Sequence, residues 1–208
     1  MEISAALVRD LREKTGAGMM ECKKALAETS GNFDKAVEYL RKKGIASADK
    51  KSGRATKEGL ISSYIHGEGK VGVLVEINCE TDFVARTEQF RGLVKDIAMQ
   101  IAAANPQWVR VDEVPSAVID KEKEIAVAQL QAAGKPKDVL EKIAEGKIKK
   151  FYEDTCLLNQ LFVKDPNKTI DTLLKETIAI LGENISIRRF ARFGLGEGMK
   201  ETKEETQS

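Results

Sequence analysis

The first 44 residues carry apolar positions at helical spacing, interrupted by turns at residues 15–18 and 30–32. The first turn holds two glycines within four residues, a composition that favours a break in a helix. Apolar residues of the last segment fall at i, i+3, i+4 and i+7, which gives a helix one apolar face: Phe33, Ala36, Val37 and Leu40. The pattern predicts a three-helix N-terminal domain over residues 1–44, ending with Gly44 as a C-cap.

Residues 45–59 lose this periodicity and are rich in Ala, Ser, Gly and Lys, so we predict a basic linker there. The stretch from Arg41 to Lys57 holds seven Lys or Arg and one Asp. Such a stretch can contact RNA, but it contains no aromatic side chain to stack on bases. A solvated linker is the favoured interpretation, and an RNA-contacting strap is the alternative.

A period of two then replaces the helical period. Apolar residues alternate with other types in a predicted half-buried strand: Val71, Val73, Val75 and Ile77. Residues 60–66 form a second predicted strand, joined to the first by a hairpin turn at residues 67–70. Residues 184–193 are a third predicted strand with these residues on one face: Ile185, Ile187, Ala191 and Phe193.

Helical spacing returns further along the chain. The longest apolar stripe starts at Phe90 and ends before Asn105 and Pro106. Residues 117–133 and 137–154 have narrow apolar seams and a three-residue connection at 134–136, which predicts a projecting antiparallel helical hairpin. The seams consist of Val118, Ile125 and Ala132, then Leu140, Ile143, Ala144, Ile148 and Phe151. Residues 169–181 form a last predicted helix.

These elements predict an α+β fold in four parts. The N-terminal domain and the linker precede an α+β core with an antiparallel sheet over residues 60–198. The core includes the helical hairpin at residues 117–154. A polar tail over residues 199–208 is predicted to be disordered.

Charge and cysteine content exclude several functional classes. The 34 Lys and Arg nearly balance the 33 Asp and Glu, whereas a nucleic-acid coat normally has a basic excess, so no direct nucleic-acid binding is expected. No apolar run approaches the roughly 18 residues of a membrane span, and the first residues do not resemble a signal peptide. Three scattered cysteines without a CxxC pair disfavour disulfides and zinc and fit a cytoplasmic protein.

A Cys-His-Asp set is the enzymatic alternative. Cys79, His66 and Asp82 would supply a thiol, a base and an orienting carboxylate, provided that the predicted hairpin brings them together. A buried strand-end cysteine and a surface histidine are the favoured interpretation. The sequence contains no glycine-rich phosphate loop and only one histidine, so we expect neither a cofactor nor a metal.

Residues 81–86 place an aromatic side chain beside a carboxylate, between a strand end and a helix start. Phe83 is therefore predicted on a loop held between two rigid elements. Spacing alone leaves open whether the ring packs inward on the sheet or faces a partner. Burial of the ring in a partner would contribute roughly 1.5–3 kcal/mol. Asp82 beside it could act on a partner's cation or on the ligands of that cation.

Met19 and Met20 form a second candidate contact. Successive helical residues lie about 100° apart, so one methionine can face the core while the other faces outward. Exposed methionine is an adaptable partner-binding side chain. The favoured interpretation nevertheless places both methionines in the small N-terminal core.

Three segments, in order along the chain, resemble the translation elongation factor Ts family. Residues 15–26 (TGAGMMECKKAL) are similar to the signature of that family's N-terminal domain, and residues 78–86 (NCETDFVAR) to its second signature. Residues 183–189 (ENISIRR) resemble its sheet-forming core segment. The resemblance implies a ubiquitin-associated-like N-terminal domain, followed by an α+β core with an antiparallel sheet and a projecting helical hairpin.

The resemblance also implies a function. Members bind elongation factor Tu in its GDP form and speed the release of GDP, without covalent chemistry. Asp82 and Phe83 would lie near the magnesium site of Tu, where Phe83 acts as a wedge and Asp82 disturbs the groups that hold Mg²⁺ and phosphate. Thr81 and Val84 belong to the same motif and are expected in the same contact.

Further contacts follow from the same resemblance. Arg12, Met19 and Met20 match positions that dock the N-terminal domain on the GTPase domain of Tu. Long members have two related core subdomains, whereas this chain has a single core. His66 resembles a histidine of the second subdomain, so we predict that two copies form a homodimer through the sheet, one presenting Asp82 and Phe83 and the other His66. A pure binding adaptor for protein or RNA is the rival interpretation, supported most by residues 41–57.

Overall fold

A computed structural model describes residues 3–132 and 137–198, and their side chains except those of residues 130–132 and 137–142. The helices are α1 (Ala5–Thr15), α2 (Met19–Glu28), α3 (Phe33–Lys51), α4 (Asp82–Ala85), α5 (Glu88–Ala104), α6 (Ser116–Ala132), α7 (Lys137–Thr155) and α8 (Ile170–Leu181). The strands are β1 (Glu58–His66), β2 (Val71–Cys79), β3 (Leu161–Phe162), β4 (Asp165–Thr169) and β5 (Ile185–Gly194). The predicted turn at 134–136 and the predicted tail at 199–208 lie outside the described residues. Within these ranges, no helix is both long enough and apolar enough to cross a membrane.

The three predicted N-terminal helices are present and share one apolar cluster. Ser4 caps α1, since its side-chain oxygen accepts a hydrogen bond from Leu7 N at 3.2 Å. Gly16 ends α1 in the left-handed conformation. The cluster, called the N-terminal core below, consists of Val8, Leu11, Cys22, Ala25, Leu26, Ala36 and Leu40.

Helix α3 is longer than predicted. It runs through Gly44 to Lys51, so residues 45–51 are helical and do not belong to a linker. A Cβ atom built on Gly44 would lie 3.0 Å from Ala179 Cβ, so this glycine allows α3 to approach α8 and is not a C-cap. Ala48, which is 1% exposed, belongs to a second, larger apolar cluster, called the main core below, whose members include Ile77, Phe90, Ile97, Leu157 and Ile178. Tertiary contacts thus extend the helix past a residue that usually ends one.

The main sheet is antiparallel with the strand order β1-β2-β5, and together with the helices it confirms the predicted α+β class. The predicted hairpin turn is present, with Lys70 N donating to Gly67 O at 3.2 Å. On the inner face, Val73, Val75 and Ile77 belong to the main core with residues of α5 and α8. The sheet therefore has one covered face.

A bulge corrects the predicted face of β5. The register between β2 and β5 shifts at Arg188, which is the extra residue of β5. Beyond the bulge the alternation inverts, so Phe190 packs against the main core and Phe193 is 72% exposed. The prediction that Ala191 and Phe193 share the buried face is therefore wrong.

Helices α6 and α7 contact each other. The predicted seam of α7 is confirmed at Ala144 and Ile148, each 8% exposed. The predicted seam of α6 is wrong at Ile125, which is 41% exposed, because the neighbouring Ala126 faces inward instead. Two predicted seam residues, Ala132 and Leu140, lie outside the described side chains.

Candidate partner-binding site

Helix α4 presents Phe83 to solvent. The segment is a single helical turn, where the sequence predicted a loop, and Thr81 caps it by accepting a hydrogen bond from Val84 N at 3.4 Å. Val84 and Ala85 are 9% and 5% exposed and anchor the turn in the main core. Phe83 is 77% exposed. The question that spacing left open is thereby answered, because the ring does not pack on its own sheet.

The Asp82 carboxylate forms an ion pair with Arg86 on the next turn. Arg86 Nη2 donates to Asp82 Oδ2 at 2.7 Å, and the side chains of Arg86 and Asp82 are 72% and 46% exposed, respectively. Exposed ion pairs of this kind contribute at most about 1 kcal/mol. A partner with a better-placed cation can therefore displace Arg86 at little cost.

Two carboxylates hold the segment that precedes α4. Glu183 accepts two hydrogen bonds from Thr81, one from the backbone N to Oε2 at 3.0 Å and one from Oγ1 to Oε1 at 2.7 Å. In the opposite direction, Glu80 Oε1 accepts a hydrogen bond from Asn184 N at 2.6 Å. We call this reciprocal set the β2–β5 clamp: Glu80, Thr81, Glu183 and Asn184.

The clamp also fixes the chain that follows α3. Asn184 is 5% exposed, and its Nδ2 donates to the backbone oxygens of Ser52 at 3.2 Å and Arg54 at 2.7 Å. These bonds satisfy an amide that would otherwise be buried without partners. Sequence reasoning missed the clamp, whose members Thr81 and Glu183 are 102 positions apart. The one signal in the sequence was the polar pair Glu183 and Asn184, which stands between Gly182, the glycine that ends α8, and the apolar start of β5.

The N-terminal helices expose both methionines. Met19 is 45% exposed and Met20 is 74% exposed, so the favoured placement of both in the N-terminal core is wrong. Cys22 and Leu26 fill that core from α2 in their place. Arg12, on α1, is also exposed. The predicted N-terminal site residues are thus accessible to a partner.

The C-terminal end of α8 supports both regions. A Cβ atom built on Gly16, in the turn before α2, would lie 3.3 Å from Ile180 Cδ1, so this turn lies directly against α8. Glu183, shortly after α8, holds Thr81 at the start of α4. Two ion pairs add to the contact between α3 and α8: Arg41 with Glu176 at 3.1 Å and Asp49 with Lys175 at 3.0 Å.

His66 lies at the opposite end of the sheet from α4. It pairs with Val71 beside the hairpin turn, whereas Cys79, near α4, pairs with Glu58 at the other end of the ladder. At about 3.3 Å per strand residue, the two ends are about 26 Å apart. The exposed His66 ring has Nδ1 at 3.1 Å from Tyr64 OH. The structure therefore does not bring His66 and the residues of α4 together.

This separation contradicts the triad of Cys79, His66 and Asp82. Cys79 is buried, and its thiol donates to Thr81 O at 3.1 Å. Burial, with a smaller contribution from the charge of Glu183, raises the pKa of the Cys79 thiol to about 11. A neutral, buried thiol is a poor nucleophile. Among the described residues, no three His, Cys, Asp or Glu side chains are grouped so that they could hold a metal ion.

Known proteins resemble this chain over almost its whole length. A family model described as Elongation factor TS matches residues 23–197. A relative named Elongation factor Ts from Anaeromyxobacter sp. is 63% identical over 203 residues, which cover 98% of this chain and 93% of the relative. Relatives of the same name from Geotalea daltonii and Geobacter sulfurreducens are 61% and 60% identical over 200 residues, covering 96% of this chain and 93% of each relative.

We expect Cys79 to resist alkylation in the folded protein. Its pKa is raised from 9.0 to about 11, so below pH 9 the thiolate fraction is about 100-fold lower than in an ordinary cysteine. Site-resolved mass spectrometry after iodoacetamide treatment at pH 8 should show slow labelling of Cys79 in buffer and fast labelling in denaturant. Rapid labelling in buffer would contradict this environment and reopen the thiol-based alternative.

Proposed function

The chain belongs to the elongation factor Ts family of translation factors, and we propose that it is a guanine nucleotide exchange factor for elongation factor Tu. It binds Tu in the GDP form and promotes the release of GDP in the cytoplasm, without covalent chemistry of its own. The observation that carries this proposal is Phe83, an aromatic side chain held in solvent on an anchored helical turn.

Phe83 supplies the apolar part of the exchange contact. Burial of its ring in Tu would contribute roughly 1.5–3 kcal/mol. If the receiving pocket exists only in a distorted GTPase domain, that free energy favours the distorted state alone. Coupling between the two ligands of Tu is reciprocal, so the same free energy weakens GDP binding, by about tenfold for each 1.4 kcal/mol.

Asp82 supplies the polar part. Its carboxylate is partly exposed and forms a weak pair with Arg86, so it can act on the groups that hold Mg²⁺ and phosphate in Tu. Thr81 and Val84 support this contact from within the chain: Thr81 caps the turn that carries both side chains, and Val84, which is 9% exposed, anchors it in the main core and does not face a partner.

The N-terminal helices form a second contact with the same GTPase domain, through the exposed Arg12, Met19 and Met20. We assign them to a ubiquitin-associated-like domain, followed by the α+β core with α6 and α7 as its projecting hairpin. The N-terminal core extends to Leu40, whereas Ala48 belongs to the main core. This change within α3 supports a boundary near residue 44.

A homodimer would bring the remaining predicted contact to the same Tu molecule. His66 and α4 lie at opposite ends of one sheet, so in the proposed dimer one copy presents Phe83 and the other presents His66. The outer face of the sheet supports a second copy as its partner, because four large apolar side chains on it are at least half exposed: Ile61, Ile65, Leu74 and Phe193. Burying such a face is the usual basis of a stable interface between identical chains.

An RNA-binding adaptor is less well supported. Four of the seven cations between Arg41 and Lys57 pair with carboxylates of the chain itself: Arg41 with Glu176, Lys42 with Glu38, Lys43 with Glu21 and Arg54 with Glu80. These pairs lower the positive potential available to a phosphate backbone, which provides most of non-specific nucleic-acid affinity.

In stopped-flow measurements with the variant Phe83→Ala, labelled GDP should leave Tu about 10- to 100-fold more slowly than with the unchanged protein. This factor corresponds to losing roughly 1.5–3 kcal/mol of free energy from burial of the ring. Its free energy of unfolding should change by less than about 0.5 kcal/mol, because the ring is exposed. Leu161→Ala, at a leucine 60% exposed on β3, is the control and should exchange normally. Normal exchange by Phe83→Ala would refute the wedge role.

The variant Asp82→Asn should slow the release of GDP in the presence of Mg²⁺, because the carboxylate charge is what disturbs the magnesium site. The difference from the unchanged protein should shrink when a chelator removes Mg²⁺ from Tu. Rates of GDP release measured with and without chelator test this. An equal deficit under both conditions would show that Asp82 does not act through the cation.

Light scattering should give about twice the 22.9 kDa chain mass for the unchanged protein. Leu74→Arg, at the centre of the outer sheet face, should give the single-chain mass, because two guanidinium groups would face each other in the dimer interface. Leu161→Arg is the matched control on β3 and should remain dimeric. A single-chain mass for the unchanged protein, with full exchange activity, would refute the dimer.

A further inference from the structure

We infer that Glu183 is a positioning residue for exchange, which sets the direction of Phe83 by holding the N-terminus of α4. The inference rests on the proposed exchange function and adds to it a residue that does not itself face the partner. Glu183 lies two positions before β5 and acts through Thr81.

Both carboxylate oxygens of Glu183 are engaged by one residue. Oε2 accepts from Thr81 N at 3.0 Å, and Oε1 accepts from Thr81 Oγ1 at 2.7 Å. Because its proton is donated to Glu183, the Thr81 hydroxyl is oriented to accept from Val84 N at 3.4 Å. One carboxylate thus fixes both the backbone and the side chain of the capping residue.

A carboxylate is the suitable group at this place. It accepts both hydrogen bonds from Thr81 without offering a competing donor, and hydrogen bonds to a charged acceptor are about twice as strong as neutral ones. Glu183 itself follows Gly182, the left-handed C-cap of α8, so the anchor point is the end of a helix that packs in the main core.

Helix α4 needs external support. A single turn is too short to be stable alone, because most of the cost of a helix lies in forming its first turn. Phe83 is 77% exposed, so its direction is set by the backbone and not by packing of the ring. Val84 and Ala85 anchor the far side of the turn, and the Glu183 pair fixes its beginning.

The second half of the clamp keeps Glu183 in place. Glu80 Oε1 accepts from Asn184 N at 2.6 Å, and the buried Asn184 amide is bonded to the backbone of residues 52 and 54. Beyond the last pair of the ladder, Cys79 with Ile185, the segment that follows β2 and the segment that precedes β5 are therefore bonded to each other in both directions. A shift of Glu183 would require these bonds to break as well.

A double-mutant cycle on the full-length protein tests the inference. Glu183→Gln keeps the size of the side chain but leaves one oxygen for two donors, and we expect a 3- to 10-fold slower release of labelled GDP from Tu. In a Phe83→Ala background, the same change should slow release by less than 2-fold, because the group that Glu183 positions is gone. Deuterium uptake of residues 81–86 should rise in Glu183→Gln.

Glu113→Gln is the matched control, because Glu113 Oε2 also accepts a backbone hydrogen bond, from Val109 N at 3.0 Å, away from α4. It should exchange at the rate of the unchanged protein. If Glu183→Gln does not fold, Glu183→Asp replaces it in the same double-mutant cycle, because this side chain keeps the charge but is one methylene shorter.

The outcomes separate the inference from the proposed function. If the Glu183 change slows release equally with and without Phe83, Glu183 acts generally on the fold and the positioning role is refuted, while the exchange function stands. Exchange by Glu183→Gln at the rate of the unchanged protein refutes it as well. If Phe83→Ala alone exchanges normally, the proposed wedge itself fails.

Discussion

The pairing of β2 with β5 is the contact on which the candidate site depends. It joins two segments of the chain that are more than a hundred positions apart, and its last pair, Cys79 with Ile185, leaves Glu80 and Thr81 beside Glu183 and Asn184. The sheet ladder ends there, and carboxylates take over the hydrogen bonds that the ladder no longer provides. The turn that carries Phe83 therefore begins from a fixed point, although the ring itself contacts little of its own chain.

The exposed groups contrast with the rigid parts that carry them. Met20 and Phe83 are both about three-quarters exposed, yet the chain shortly before each of them is fixed. Gly16, in the turn before α2, lies against Ile180 of α8, and Thr81, at the start of α4, is bonded to Glu183 just after α8. A protein that must bury apolar side chains in a partner gains by fixing their positions beforehand, because less conformational entropy is lost on binding.

Local patterns were sufficient to predict most elements of this fold and insufficient for the contacts that orient the site. Alternation and helical spacing predicted β1, β2, α5 and α8, because each of these buries a face of its own sequence. They failed at Gly44 and Arg188, where close approach to α8 and the register against β2 decide the outcome. The direction of Phe83 and the role of Glu183 depend on a pairing between distant segments, which no local window of sequence contains.

The missing side chain at Gly44 has a consequence for how the molecule can evolve. With only a hydrogen atom there, α3 and α8 lie so close that a methyl group would stand 3.0 Å from Ala179 Cβ. A side chain at this position would require α3 and α8 to move apart slightly, because the space between them holds no further atom. Variation at this position would thus change how the N-terminal helices sit against α8 without changing the exposed side chains of Met20 and Phe83.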